Sequence, residues 1–320
     1  MKGKDILSLA ELSTADMKLL LDLSASLKRR RTSGLGSNTL KGKSVAMVFE
    51  KPSTRTRVSF QVAVKELGAF PISLSTSELQ LGRGETIEDT ARVLSRYVHA
   101  AMARVNKHGD LERLATASSV PVINGLSDLF HPMQTLADLL TLRERAGKLE
   151  GLHVAWVGDG DNVCNSWLYG SAITGIHFTA ATPIGYGPLA SAVSEGSALA
   201  RSTGGSITLV NEPERAVKGA DCVMTDTYIS MGEEQERAKR VRTFLPKYQV
   251  NRRLMSLAKR GAIFQHCLPA HRGEEVTADV IDGPQSAVFD EAENRLHTAK
   301  AMLCFLLLGR KDLSSLVRNR

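Results

Sequence analysis

The residues Ser53-Thr54-Arg55-Thr56-Arg57 place three hydroxyls and two guanidiniums in one short stretch. They follow an apolar run, 44–49, that reads as a buried strand, and they precede Val58, Phe60, Val62, Ala63 and Leu67 at roughly helical spacing. A strand-to-helix turn of this composition offers an anion free backbone N–H groups and the positive end of a helix dipole. Arginine adds a two-pronged, charge-assisted grip on phosphate. Considered alone, the pentapeptide equally describes a serine N-cap followed by two solvated arginines.

Other residues carry chemistry of a compatible kind. Arg104 ends the strand-like run 100–105, and the carboxyl ends of strands are where open α/β sheets bind ligands. By itself it is also an ordinary surface arginine. In His131-Pro132-Met133-Gln134 the proline belongs to a first helical turn, which puts His131 near the N-cap. The dipole there favours a neutral imidazole able to donate to a carbonyl oxygen. The same segment also reads as an imperfect cap with Gln134 as its capping-box partner. Asp226, at the end of run 222–225, can hold an ammonium group or cap the next helix. His266, Cys267 and His271 lack a fourth ligand at metal spacing, so no metal is expected. A nucleophilic Cys267 would need an activating base, and a continuing strand would point His266 to the opposite face.

The elements that must position these groups alternate along the chain. Strand-like runs at 45–49, 100–105, 120–124, 153–157, 177–181, 206–210, 222–225 and 262–266 are separated by amphipathic stretches such as 86–97, 132–146 and 188–203. This predicts an α/β protein with two doubly wound parallel-sheet domains. The expected division is residues 1–147 and 148–290, with a C-terminal helix, 291–320, packing back on the first domain. Gly158-x-Gly160 resembles half a dinucleotide fingerprint, but Val163 stands where the third glycine belongs, so a tight turn is the better reading and no cofactor is expected.

The totals exclude several classes. The chain has 320 residues and is 42% hydrophobic, enough for two domain cores. A net charge of +7 with only 5% aromatic residues and scattered basic groups suits anionic substrates better than a nucleic acid. The run Lys28-Arg29-Arg30-Arg31 fits the end of a first helix, where cations suit the dipole. The longest apolar stretch, 301–308, is too short to cross a bilayer. Four cysteines, with no CxxC pairing and no signal peptide, predict a cytoplasmic chain with free thiols.

Seven segments in order resemble the motifs of the ornithine carbamoyltransferases: Ser-Thr-Arg-Thr-Arg, Gln80-Leu81-Gly82-Arg83-Gly84-Glu85, Arg104, His-Pro-Met-Gln, Gly158-Asp159-Gly160-Asp161-Asn162, Asp226–Gly232 and His266-Cys267-Leu268-Pro269. The resemblance runs from about Phe49 to Leu308, nearly the whole chain. Ser230-Met231-Gly232 is its specific part, because aspartate and N-acetylornithine transcarbamoylases share only the phosphate half.

The resemblance implies transfer of a carbamoyl group from carbamoyl phosphate to the side-chain amine of L-ornithine, giving citrulline through a tetrahedral intermediate without metal or cofactor. By similarity Ser53, Thr54, Arg55 and Thr56 hold the phosphate, and Arg104, His131 and Gln134 contact the carbamoyl group. Gln80 reaches a neighbouring subunit's site, which implies a homotrimer or a multiple of trimers. Asn162, Asp226, Ser230 and Met231 hold the amino-acid end of ornithine. Cys267, Leu268 and Arg295 lie between the substrates, and the Leu268–Pro269 bond is expected to be cis. Arg55, Thr56, Arg104, His131 and Cys267 form the catalytic set. Two departures stand out. Asp161 replaces a common asparagine, which either strengthens attraction for a cation or caps a helix, and 184–187 replaces a charged pair and bears on packing. The competing readings are a carbamoyltransferase with another acceptor amine, a non-catalytic sensor of carbamoyl phosphate, and a nicotinamide dehydrogenase.

Overall fold

The computed structural model describes residues 4–34, 38–76, 78–80, 84–229 and 234–318. The chain forms two compact units, Met1–Leu140 with Glu293–Arg320, and Thr141–Ala292. In the first unit α1 (Thr14–Thr32) precedes β1 (Ser44–Phe49), α2 (Thr54–Glu66), β2 (Phe70–Ser75), α3 (Ile87–Tyr97), β3 (Ala100–Arg104), α4 (His108–Ala117), β4 (Val122–Leu126) and α5 (Pro132–Ala146), which runs on into the second unit. The second contains β5 (His153–Val157), α6 (Asn162–Thr174), β6 (His177–Ala181), α7 (Ala190–Thr203), β7 (Ser206–Val210), α8 (Pro213–Val217) and β8 (Cys222–Thr225). It continues with α9 (Arg237–Phe244), α10 (Arg252–Met255), β9 (Ile263–His266) and α11 (Ala278–Ile281). Helices α12 (Val288–Leu307) and α13 (Arg310–Arg318) return the chain to the first unit.

Both sheets are parallel throughout, as the alternation of elements predicts. Their strand orders are β2-β1-β3-β4 and β7-β6-β5-β8-β9. Central strands are read easily in the sequence because both of their faces are covered, which makes them continuous apolar runs. Every residue of β3 is buried. Strand β2 was not expected, because Pro71, Ser73 and Ser75 interrupt its apolar pattern. It is an edge strand with no buried residue, the position at which a sheet tolerates proline. The C-terminal segment 291–320, expected as one helix, is two. Gly309 separates α12 from α13, as glycine commonly does beyond a helix end.

The order of the strands fixes where a ligand can bind. In the first sheet β2 lies to one side of β1, and β3 and β4 lie to the other, so the connections diverge between β1 and β3. In the second they diverge between β5 and β8. A crevice opens at the carboxyl ends of strands at such a switch point. The Ser53–Arg57 turn follows β1, and Arg104, which pairs with Phe49, ends β3. Asp159–Asn162 follow β5 and Asp226 follows β8.

Candidate active site

The first half-site is cationic. Helix α2 begins at Thr54, and Ser53 at its N-cap is extended (φ −154°) but makes no side-chain capping hydrogen bond. Ser53 therefore sits at the N-cap without the usual capping hydrogen bond, and its hydroxyl stands at a helix start whose N–H groups suit an anion. Thr54 and Arg55 are exposed, while Thr56 is buried. Arg57 lies over the Phe49 ring, 4.7 Å from its centroid, so it packs on the strand that carries the turn.

Arg295 on α12 is buried and joins three elements. It donates to Oγ1 of Thr56 at 2.8 Å and to Oε1 of Gln134. The other end of the Gln134 carboxamide donates to Asp138 Oδ1 at 2.7 Å. Gln134 thus belongs to this network, and its backbone N–H bonds to the carbonyl of His131 at 3.0 Å. His131 and Arg104 are buried too. Burial, followed by Arg295, Arg104 and Arg55, holds the His131 imidazole well below its usual range. A neutral imidazole of this kind is able to donate a hydrogen bond to a ligand without adding charge. Three guanidiniums around a neutral imidazole suit a multiply charged anion carrying a carbonyl. Gln80 is exposed, and Leu81, Gly82 and Arg83 beside it lie outside the described residues.

The second half-site is acidic. A Cβ on Gly160 would meet Pro188 N at 2.1 Å and the Gly187 carbonyl carbon at 2.3 Å, and the Gly160 N–H donates to the Tyr186 carbonyl at 2.8 Å. The 184–187 stretch therefore closes over the glycine turn, which is a packing turn as the missing third glycine suggested. Asp161 caps α6, its Oδ1 accepting from Val163 N–H at 2.8 Å and Cys164 N–H at 2.9 Å. Its Oδ2 is buried with no hydrogen-bond partner. Burial raises the Asp161 carboxyl well above its usual range, and the Asp226 and Asp159 charges raise it further. Asp159 is itself ion-paired with buried Arg240, which also donates to the Tyr228 carbonyl and lies over the Tyr186 ring at 5.1 Å.

Asp226 is buried and caps no helix among the described residues. Its Oδ1 accepts from Thr227 N–H at 2.7 Å and from the Cys267 thiol at 3.0 Å. Burial, then Asp226, pushes the Cys267 thiol far up, so Cys267 is a protonated donor and not a nucleophile. Asn162 opens α6 and is half-buried. Ser230 and Met231 lie outside the described residues. Leu268, expected at the site, has φ +57°, the one non-glycine residue with positive φ among those described, and its bond to Pro269 is cis. Asp226, His266 and Cys267 bring potential metal-ligand atoms within 4.8 Å of one another, as do His271, Glu274 and Glu275. In the first trio the donors are committed to one another and to the chain: the thiol to Asp226, and the two His266 nitrogens to Leu268 N–H (2.9 Å) and Glu275 (3.2 Å).

Some contributors escaped the sequence. Asp138 sits one turn after Gln134 on the same helix face, a spacing that could have flagged it. Arg240 stands among the basic residues Arg237, Lys239 and Arg242, a pattern that suggests a solvated face, yet it is 4% exposed. His266 was considered with Cys267 and His271 as a metal trio and with Cys267 as a base, whereas its ring partners are Leu268 and Glu275.

Comparison with known proteins gives a consistent result. Residues 4–144 match the aspartate/ornithine carbamoyltransferase carbamoyl-P binding domain, and 150–306 match the Asp/Orn binding domain of the same family. An ornithine carbamoyltransferase of Methanoculleus marisnigri is 49% identical over 96% of this chain and 97% of its own, and one of Acidothermus cellulolyticus is 52% identical over 93% and 94%. Among solved structures, ornithine carbamoyltransferase from Pyrococcus furiosus aligns with TM-score 0.93 at 48% identity, covering 96% of this chain and 97% of that one.

Proposed function

From the premise that this chain belongs to the aspartate/ornithine carbamoyltransferase family, we propose that its guanidinium–imidazole cluster receives carbamoyl phosphate and its carboxylate-lined turns receive ornithine. The protein is a transferase that moves the carbamoyl group of carbamoyl phosphate to ornithine, giving citrulline and phosphate. The observation that carries the assignment of the phosphate half is the neutral, buried His131 among Arg55, Arg104 and Arg295.

The helix start at Ser53–Thr56 and the fork of Arg55 take the phosphate. Arg104, His131 and Gln134 take the carbamoyl group. Ornithine's side-chain amine attacks the carbamoyl carbon, and negative charge moves onto the carbonyl oxygen of a tetrahedral intermediate. Arg55, Thr56, Arg104 and His131 stabilise that charge without reorganising. The amine, whose solution pKa is about 10.4 by analogy with lysine, reacts as the free base, and the leaving phosphate accepts its proton. Asp226, Asn162, Ser230 and Met231 hold the amino-acid end, with the Cys267 thiol keeping Asp226 oriented. Cys267 and Leu268 present backbone carbonyls to the reacting amide, and Arg295 secures Thr56 and Gln134.

We further infer a homotrimer, or a multiple of it, in which the exposed Gln80 loop serves a neighbouring copy's site. Light scattering that returns a monomer under assay conditions would reject this. Four free thiols suit a reducing cytoplasm. Citrulline formation from carbamoyl phosphate, with ornithine, lysine and putrescine each varied, tests the activity. Ornithine should give the highest kcat/KM. Absence of citrulline, or preference for another amine, would overturn the reading.

A further inference from the structure

Beyond the substrate contacts lies a buried arrangement that they do not use. Strand β9 ends at His266, and the chain then enters the turn of Cys267, Leu268 and Pro269. The backbone N–H of Leu268 donates to His266 Nδ1 at 2.9 Å. An amide proton can be accepted only by an unprotonated ring nitrogen, so the ring proton resides on Nε2. Nε2 faces Glu275 Oε1 at 3.2 Å, and Glu275 is fully buried. The same Oε1 accepts from the His271 backbone N–H at 2.5 Å, so one carboxylate secures both sides of the turn. A second buried carboxylate, Glu291, accepts from the His266 backbone N–H at 2.9 Å.

This arrangement leaves His266 no lone pair with which to act as a base. The Cys267 thiol turns away from it to Asp226. What His266 does is hold the amide of the residue whose backbone lies in the left-handed region, a conformation that L side chains rarely adopt and that persists only where its surroundings impose it.

We propose that His266 is a positioning residue for the transfer reaction. Its imidazole, fixed as the Nε2–H tautomer by Glu275, accepts the Leu268 N–H and so sets the left-handed turn that aims the Cys267 and Leu268 carbonyls. The inference rests on the substrate-facing role given above to Cys267 and Leu268.

Two substitutions separate the halves of the imidazole. His266→Asn keeps an acceptor near the Nδ1 locus and gives up Glu275. His266→Gln carries an amide donor to the Nε2 locus and gives up the Leu268 acceptor. His266→Gln is expected to lower kcat about 100-fold, the effect of misplacing a reacting group by about an ångström, with far smaller changes in KM. His266→Asn should stay within about tenfold of the parent kcat, the consequence of one lost hydrogen bond. Equal loss in both variants, or better retention in the Gln variant, overturns the proposal. If a variant does not fold, the ring nitrogen chemical shifts of His266 in the unaltered protein decide the matter without substrate. An unprotonated Nδ1 and protonated Nε2 support the proposal, and a protonated Nδ1 rejects it. Failure of the unaltered protein to make citrulline would instead reject the functional reading, so the two failures are distinguishable.

Discussion

The two half-sites solve opposite electrostatic problems on the same scaffold. Each sits at the carboxyl ends of parallel strands where the strand order diverges. At the first, Arg55, Arg104 and Arg295 lie around a buried histidine held neutral, a concentration of positive charge that suits an anion. At the second, Asp159, Asp161 and Asp226 come together, and each is handled differently. Asp159 is neutralised by Arg240, Asp226 accepts from its own loop and from Cys267, and Asp161 has its pKa raised by burial first and by the neighbouring carboxylates second. A site for a doubly charged anion can leave its cations waiting, because guanidiniums remain charged at any working pH. A site for a singly charged ammonium has to ration its carboxylates.

That contrast is most easily broken at Arg240. Replacing it with methionine leaves the half-buried Asp159 without its cation, and loss of one partner of such a pair costs up to about 3 kcal/mol, the low end for a fully buried pair. The urea midpoint should fall accordingly, and an unchanged midpoint would show that Asp159 is not held by this pair. Next in size is Arg55→Lys at the cationic half. A point charge cannot reproduce the fork, and kcat/KM should drop at least about 100-fold, in line with about 3 kcal/mol for a lost charge-assisted contact. Near-normal kcat/KM would remove Arg55 as the phosphate clamp.

Asp161→Asn sharpens the comparison from the other side. Asparagine caps a helix as well as aspartate, so α6 keeps its start. Well below the ordinary carboxyl value of 3.8, Asp161 is protonated in folded and unfolded chains alike and costs nothing. As pH rises from there through the raised folded value, the unfolded chain ionises more readily and stability is lost. The asparagine variant should therefore gain about 1 kcal/mol at pH 8 and less at pH 5, read from urea midpoints. An equal gain at both values would dissociate the effect from ionisation. The smallest expected change is Cys267→Ser. A hydroxyl still donates to Asp226, so kcat should stay within about tenfold of the parent. Complete loss would point to covalent chemistry.

Sequence reasoning reached the central strands because burial on two faces writes an unbroken apolar run. It missed β2 because an edge strand is free to carry Pro71 and two serines. The break at Gly309 escaped because both flanking segments are helical. At the site, the hydroxyl–guanidinium turn and Arg104 were legible as strand-end chemistry, and the reading of each stayed open until a resemblance ordered them. No local pattern links Arg295 to Thr56, 239 residues away, or Arg240 to Asp159, 81 residues away. Such partners are chosen by topology. The period of a strand separates His266 from Cys267, as expected, but nothing local marks its ring partners two and nine residues on.

The Arg295 bridge has a consequence for how the protein behaves outside the assay. It ties helices α2, α5 and α12, and with Arg55 and Arg104 it brings together positive groups from widely separated stretches of chain. On the proposed assignment, an anion bound among them is a removable fastener that the unfolded chain cannot hold. By mass action, ligand at a hundred times its dissociation constant adds about 2.7 kcal/mol of stability. Inorganic phosphate, the product, is then also a stabiliser, and the melting point of this protein is a property of its buffer as much as of its sequence.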